Sequence, residues 1–369
     1  MSDRMHVATR KGLFTIDRNH DGRWKIENTA FLGDPVSMSL SDRRSGNLFA
    51  ALNLGHFGVK LHRSPDEGKT WTEVGVPTYP EDPDETATKE TEAEAKAPSL
   101  KQIWSMETGG EDRPGLLWAG TMPGGLFRSE DNGDSWKLVS SLWNRPEREK
   151  WFGGGTDSPG LHSICVDPRN SDTVMIAVSI GGVWVTEDGG SSWELRGKGM
   201  FAEYMPPELR EDPGMQDPHR IVQSPSNPDV VWCQHHNGSF RSTDGGATFT
   251  EIKPEPSVFG FGVAVHPREP DTAWFVPGVK DECRIPVEGQ MVASRTRDGG
   301  KTFEILREGL PQEHAYDLVF RHALDIDESG DRLAMGSTTG TLWVTEDQGD
   351  SWRTISHHLP PIYSVRFEK

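Results

Sequence analysis

An eight-residue pattern, Ser/Thr-x-Asp-x-Gly-x-Ser/Thr-Trp/Phe, recurs along the chain and constrains its fold more than any other feature. Its six copies span residues 64–71, 129–136, 186–193, 242–249, 296–303 and 345–352. A degenerate seventh copy at 17–24 keeps two aspartates, the glycine and the tryptophan but not the register. The terminal aromatic residues are 47 to 65 residues apart, a spacing that suits a four-stranded unit with its loops. The repeat therefore predicts seven such units.

Strand-like runs precede the octets. Before the third complete octet they are residues 162–167, 174–178 and 182–186, and the same order recurs before the fourth and sixth. Helical periodicity is absent, and 40 glycines and 26 prolines indicate many short strands joined by tight turns. The first unit lacks its inner strand, which the run 362–367 can supply. We therefore predict an all-β, seven-bladed β-propeller forming a single domain over residues 1–369, in which the C-terminal strand pairs into the N-terminal blade and closes the ring.

The octet resembles the Asp box, or BNR repeat, of sialidases and related WD40/YVTN-like propellers. The whole chain, including Ala51-Leu-Asn-Leu-Gly-His-Phe-Gly58, resembles bacterial BNR-repeat proteins labelled exo-α-sialidase-like. The resemblance implies that each octet is a structural turn between the third and fourth strands of a blade. It does not extend to the sialidase mechanism, because Arg284-Ile285-Pro286 lies in blade 6 instead of before the first octet. The arginine triad and the Tyr/Glu nucleophile pair of sialidases cannot be assigned either.

One segment, residues 80–98, interrupts the repeat. It is rich in Glu, Thr, Ala and Pro, a composition that cannot bury a core. We expect a flexible acidic insertion between blades 2 and 3.

Charge and cysteine content restrict the partners and the compartment. The formal net charge is -18, from 39 basic and 57 acidic residues, which disfavours nucleic acid and anionic membranes as partners. A cationic or neutral partner remains open. The first residues contain no signal-peptide-like apolar run, and Cys165, Cys233 and Cys283 are too few and too widely spaced for a disulfide framework. We therefore expect a cytoplasmic protein.

Histidines and charged residues are predicted to converge on one face of the propeller. In this fold the first strand of each blade lines the central channel, and the loops that enter it share a face with the loops between strands two and three. His162, His219 and His322 occupy equivalent positions at the start of three inner strands. The loops on the same face contribute the further polar residues Asn53, His56, Glu203, Tyr204, His235, His236, Asn237, Lys280, Asp281, Glu282, Arg284 and His314.

This convergence predicts a His-rich pocket at the channel mouth. The candidate catalytic residues are His56, His162, His219, His314, His322, Glu203, Asp281 and Glu282. The candidate substrate-binding residues are Asn53, Tyr204, His235, His236, Asn237, Lys280 and Arg284. We expect a hydrolase or lyase that acts on a small polar or anionic substrate, such as a carbohydrate.

Two other interpretations stay open. His162, His219 and His322 could, together with a carboxylate, hold a divalent metal ion. Alternatively, the channel holds only water, and the chain is a non-catalytic propeller that binds a protein partner, as assembly factors do.

Overall fold

The computed structural model describes residues 1–80 and 98–368. The insertion predicted at 80–98 lies outside the described residues, apart from its two end residues Pro80 and Pro98. The described chain forms seven four-stranded antiparallel sheets, and these are the predicted blades.

The strands follow one another blade by blade, and each blade is given from its innermost to its outermost strand. Blades 1 to 3 are Ile362–Phe367 (β28) with Arg4–Thr9 (β1), Gly12–Arg18 (β2) and Trp24–Ala30 (β3); Val36–Asp42 (β4), Asn47–Asn53 (β5), Val59–Ser64 (β6) and Thr72–Val74 (β7); Gln102–Thr108 (β8), Leu117–Met122 (β9), Leu126–Ser129 (β10) and Lys137–Leu138 (β11). Blades 4 and 5 are Leu161–Val166 (β12), Val174–Val178 (β13), Gly182–Thr186 (β14) and Glu194–Arg196 (β15); Pro218–Gln223 (β16), Val231–His235 (β17), Ser239–Ser242 (β18) and Thr250–Ile252 (β19). Blades 6 and 7 are Gly260–Val265 (β20), Ala273–Pro277 (β21), Ala293–Thr296 (β22) and Glu304–Leu306 (β23); Leu324–Ile326 (β24), Leu333–Gly336 (β25), Leu342–Thr345 (β26) and Arg353–Ser356 (β27).

The inner strands form a closed ring. Each contacts the inner strand of the next blade, from β4 through β8, β12, β16, β20 and β24 to β28, which contacts β4. The closing strand β28 pairs antiparallel with β1, with Val365 opposite Val7, and both side chains are fully buried. The predicted closure is confirmed, and no blade leaves an open edge at the junction of the chain ends.

Each octet forms the turn between the third and fourth strands of its blade. In blade 4 the Thr186 hydroxyl donates to Asp188 Oδ1 (2.8 Å) and accepts from the Gly190 N–H (2.9 Å). The Asp188 carboxylate accepts from the N–H (2.8 Å) and the hydroxyl (2.6 Å) of Ser192. Gly190 has a φ of +93°, which only glycine adopts without strain. The side chains of the octet therefore satisfy the turn's own backbone, and the octet has a structural role.

The hydrophobic core lies between adjacent blades. Each of blades 3 to 7 contributes one fully buried tryptophan from its second or third strand; these are Trp118, Trp184, Trp232, Trp274 and Trp343. Trp118 of blade 3 and Trp184 of blade 4 belong to one apolar cluster. These contacts between neighbouring blades fix the position of each sheet around the central axis. The inner strands therefore surround the axis, and their polar side chains face one another there.

The helices are short and lie in loops. In the described parts of the chain they are one α-helix, Ser140–Trp143, and the 3₁₀ turns Gly55–Phe57, Pro146–Lys150, Pro207–Leu209, Pro213–Met215 and Val287–Gly289. Within the described residues, none of the helices has the length and apolar character needed to cross a membrane.

Candidate functional site

The inner strands run in the same direction, so the channel has two distinct mouths. We call the face where these strands begin the top face, and the face that carries the octets the octet face. Asp217, which precedes β16, lies at the top face with His219 of β16 and His236, which follows β17. Asp217 Oδ2 is 3.5 Å from His236 Nδ1 and 3.8 Å from His219 Nε2. We call these three residues the Asp217 cluster.

His219 is held in one orientation and one tautomer. Its Nδ1 lies 2.7 Å from the Gly260 carbonyl oxygen, and because a carbonyl only accepts, Nδ1 carries the proton. Its ring stacks on Phe261 with 4.4 Å between centroids and 9° between planes. Burial, and then the charge of Arg321, lower the pKa of His219 well below its usual value. The ring is therefore neutral, and its Nε2 lone pair is available on the side of Asp217.

Asp217 is almost fully buried. Its Oδ1 accepts from the Ser179 hydroxyl at 3.3 Å, and its backbone N–H donates to His235 Nε2 at 3.0 Å. Burial raises the pKa of this carboxyl, and the charges of Arg321 and His236 oppose the rise. The loop before β12 closes over it, since a Cβ at Gly154 would lie 2.7 Å from Oδ2. A side chain at this position would displace the Asp217 carboxylate or the Ser179 hydroxyl.

Two arginines lie beside the Asp217 cluster. The guanidinium of Arg321 lies 5.0 Å from the ring centroid of Trp104 and 5.1 Å from that of Phe261. The guanidinium of Arg284 lies 5.4 Å from Phe261, and its Nε donates to Asp281 Oδ1 at 3.0 Å. Burial lowers the pKa of Arg321 to about 10, so it stays a cation at neutral pH. Its Nε has no hydrogen-bond partner among the described residues, which leaves a buried donor for a ligand.

Two further arginine side chains lie deeper in the channel, towards the octet face. Arg220 of β16 and Arg366 of β28 line a cavity of about 520 Å³ that opens on the octet face. Arg366 Nη1 lies 3.4 Å from Glu107. Above them, burial and the charges of Arg220 and Arg366 lower the pKa of His322 well below its usual value. Carboxylates outnumber arginines around this cavity, and they are Asp42, Glu107, Glu111, Asp167, Asp325, Asp327 and Glu328. The positive charge that favours an anionic ligand therefore lies at the top mouth, with Arg321.

The structure brings some of the predicted residues together at the top mouth. His219 and His236 belong to the Asp217 cluster, and Tyr204 packs edge-on against His236 with ring centroids 5.2 Å apart. The Tyr204 hydroxyl donates to the Met215 carbonyl at 2.9 Å. Asn237 Oδ1 accepts from the backbone N–H of Glu203 at 2.8 Å, so it ties the loop before β16 to the mouth.

His162 and His322 are buried at the inner strands but do not join the Asp217 cluster. His162 Nδ1 lies 3.0 Å from the Ser163 hydroxyl, and its ring meets Trp104 edge-on at 5.6 Å. Neither nitrogen of His322 has a hydrogen-bond partner among the described residues. Of the three predicted metal ligands, only His219 lies in a group of converging ligand atoms in the part of the chain that the structure describes.

The remaining predicted residues lie outside the cluster, mostly in solvent-facing loops. His56, His314, Glu203, Lys280 and Glu282 are exposed. Lys280 and Glu282 form an ion pair of 3.5 Å, Asp281 is bonded to Arg284, and Asn53 Oδ1 accepts from the Gly55 N–H at 3.3 Å.

Two residues of the site, Asp217 and Arg321, were not predicted. The alternation of side chains along an extended segment places residue 217 on the same side as residue 219, so the Asp-Pro-His sequence held a signal for Asp217. Arg321 precedes His322 and lies outside β24. No sequence pattern fixes its direction, because it depends on packing against Trp104 and Phe261 from other blades.

Comparisons with known proteins find similar sequences and similar folds. No family model matches the chain. Over 251 residues, the chain is 37% identical to the oligoxyloglucan-reducing end-specific xyloglucanase of Emericella nidulans, a match that covers 66% of this chain and 26% of that protein. The chain therefore spans about a quarter of the length of that relative.

Two solved structures show the same fold. An ancestral GH74 enzyme superposes with a TM-score of 0.60 and 16% identity, over 87% of this chain and 38% of that one. A YCF48 protein bound to a D1 peptide superposes with a TM-score of 0.51 and 13% identity, over 87% of this chain and 82% of that one. At these identities the likeness concerns the propeller architecture alone.

Proposed function

We propose that this seven-bladed propeller is a carbohydrate-processing hydrolase or lyase that acts on a short anionic saccharide at the top mouth. The observation that carries the proposal is the half-buried Arg321 beside the Asp217 cluster, whose shielded Nε has no hydrogen-bond partner among the residues that the structure describes. The similarity to a xyloglucanase over 66% of the chain supports a saccharide as the substrate class.

The arginines are the anion-binding groups of this proposal. Arg321 and Arg284 both lie over Phe261. Arg284 is bonded to Asp281, so Arg321 would be the main group that binds a substrate carboxylate. A guanidinium binds a carboxylate through two parallel N–H donors and stays charged throughout the reaction. The partly exposed Trp104 ring beside Arg321 offers an apolar surface for a sugar ring.

In this proposal the residues of the Asp217 cluster transfer the proton. A buried carboxyl with a raised pKa next to imidazole nitrogens is suited to general acid–base catalysis near neutral pH. A retaining glycosidase needs two carboxylates about 5 Å apart, whereas the Asp217 cluster contains one carboxylate and two imidazoles. The site therefore favours imidazole–carboxyl chemistry next to a bound anion, either hydrolysis or elimination.

The test compares acidic and neutral oligosaccharides as substrates of the full chain. We expect turnover of uronate-containing oligosaccharides and slower or no turnover of neutral xyloglucan oligosaccharides. An unsaturated product identifies a lyase, and a new reducing end without unsaturation identifies a hydrolase. Arg321→Gln should lower kcat/KM by roughly 10- to 100-fold, since it removes a charged hydrogen-bond partner of the substrate.

Arg10→Gln is the matched control, because Arg10 is an exposed arginine in the β1–β2 turn on the same face. It should leave kcat/KM unchanged, and both variants should keep the melting temperature of the parent protein. Equal activity of the Arg321→Gln variant and the parent, or turnover restricted to neutral saccharides, would show that the proposal is wrong.

A further inference from the structure

The Asp217 cluster brings together three side chains that are common metal ligands, which an acid–base site does not require. His219 Nε2, His236 Nδ1 and one oxygen of Asp217 all lie within 4.8 Å of one another. The two measured separations from Asp217 Oδ2, 3.5 Å and 3.8 Å, are too long for direct N–H···O hydrogen bonds. Two ligands bound tetrahedrally to one zinc ion at 2.0 to 2.1 Å are about 3.4 Å apart. The separations in the cluster are thus close to those of atoms that share an ion.

Hydrogen bonds from neighbouring groups orient two of these three side chains, as is usual for metal ligands in proteins. His219 donates its Nδ1 proton to the Gly260 carbonyl at 2.7 Å, which directs the unprotonated Nε2 towards Asp217. Asp217 accepts from the Ser179 hydroxyl through its other oxygen. Such outer hydrogen bonds fix the tautomer and direction of metal-binding side chains.

We propose that Asp217, His219 and His236 bind a divalent transition-metal ion of the zinc type. Two imidazoles and one carboxylate are an established ligand set for Zn²⁺, and they leave a coordination position open. The cluster lies at the channel mouth, where His236 remains partly exposed, so an ion can enter from the top face. A divalent ion bound by one carboxylate and two imidazole nitrogens keeps a net positive charge, because imidazole binds a metal in its neutral form. Arg321 adds a further positive charge nearby. The open position therefore favours water or an anionic group.

The inference does not depend on the proposed function, because metal binding is measured without any substrate. The full chain is treated with a chelator, dialysed and titrated with Zn²⁺ by calorimetry, and then loaded with Co²⁺ for visible absorption. We expect one Zn²⁺ per chain, a higher melting temperature with Zn²⁺, and a Co²⁺ spectrum with d–d bands of a site containing nitrogen and oxygen ligands.

The variants separate this site from other histidines on the surface. His236→Gln and Asp217→Asn should each raise the Kd for Zn²⁺ by about 100-fold or more and abolish the Co²⁺ bands. His56→Gln is the control, since His56 is an exposed histidine in another loop of the top face, and it should leave both readouts unchanged. Because His236 is partly exposed, its variant should fold even where Asp217→Asn does not, which circular dichroism checks.

Two results would overturn the proposal. The first is a parent protein that takes up no Zn²⁺ after chelation. The second is Zn²⁺ uptake with the same Kd in a folded His236→Gln variant. Either result would leave the Asp217 cluster as a metal-free group of polar side chains, and the proposed saccharide activity would still be open to its own test.

Discussion

At the scale of single residues, burial decides which histidines carry charge. His6 of β1 is buried, and its Nδ1 lies 3.2 Å from the Thr15 hydroxyl. Burial, and then the charge of Arg4, lower the pKa of His6 to about 4. His6 is therefore neutral in the folded protein at pH values where an exposed histidine is already protonated.

This shift predicts a loss of stability in acid. As the pH falls below about 6.5, the unfolded chain takes up a proton at His6 before the folded chain does, so folding stability decreases until the pH reaches about 4. A shift of this size corresponds to roughly 3 kcal/mol. His6→Asn removes the titrating group and keeps a polar atom near Thr15. Urea denaturation at pH 7 and pH 4 should show that the parent loses roughly 3 kcal/mol more than the variant. Equal losses would contradict the prediction.

The position of a residue in the fold could be predicted where the sequence pattern fixes the direction of its side chain. His219 and His236 were predicted at the top mouth and lie there, 3.8 Å and 3.5 Å from Asp217. Arg321 was missed because its position depends on aromatic rings that belong to blades 3 and 6. A one-dimensional repeat does not encode which side chains meet across a channel.

At the scale of the element, the octet turn depends on its first hydroxyl. Thr186 is buried, and its Oγ1 accepts from the Gly190 N–H inside the turn. Thr186→Val keeps the shape of the side chain but leaves this N–H without a partner. We expect a loss of about 1–3 kcal/mol in the free energy of unfolding, measured by urea denaturation.

The control for this change is Thr72→Val, because Thr72 is exposed on β7. Its effect should stay within about 0.5 kcal/mol. If the two variants lose the same stability, the hydroxyl of Thr186 does not hold the turn.

Strand prediction was most accurate between tight turns. The predicted runs 174–178 and 182–186 coincide with β13 and β14, because an apolar run flanked by turn residues leaves little freedom of register. In blade 7 the predicted run began at His322, whereas β24 begins at Leu324 and His322 makes only an isolated bridge to Ser364. The closing strand β28, from the far end of the chain, sets the geometry there, and local sequence does not encode it.

At the scale of the whole molecule, β28 joins the two ends of the ring. Ile362, Val365 and Phe367 are buried between β1 and the neighbouring blades. Burying an apolar side chain of this size contributes roughly 1.5–3 kcal/mol. The three together therefore approach the net stability of a typical domain, about 5–15 kcal/mol.

Deletion of residues 362–369 should therefore abolish the cooperative thermal transition, or lower the melting temperature strongly, and cause association through the exposed edge of β1. Differential scanning calorimetry and size-exclusion chromatography measure these effects. A control that lacks only residues 368–369 keeps β28 and should keep the oligomeric state of the parent. A chain without residues 362–369 that keeps this state and melts at the parent temperature would show that β28 is dispensable.

The buried tryptophans of blades 3 to 7 also allow unfolding to be followed by intrinsic fluorescence. Each of these blades has at least one indole shielded from water, so its fluorescence is shifted to the blue and moves to the red when that blade admits solvent. Quenching of the emission by a soluble quencher would report the same event. The chain has 13 tryptophans, so the signal of one blade is obtained as the difference between the parent and a variant in which one of the five indoles is replaced. These differences would show whether the ring opens at one blade first or loses all blades together.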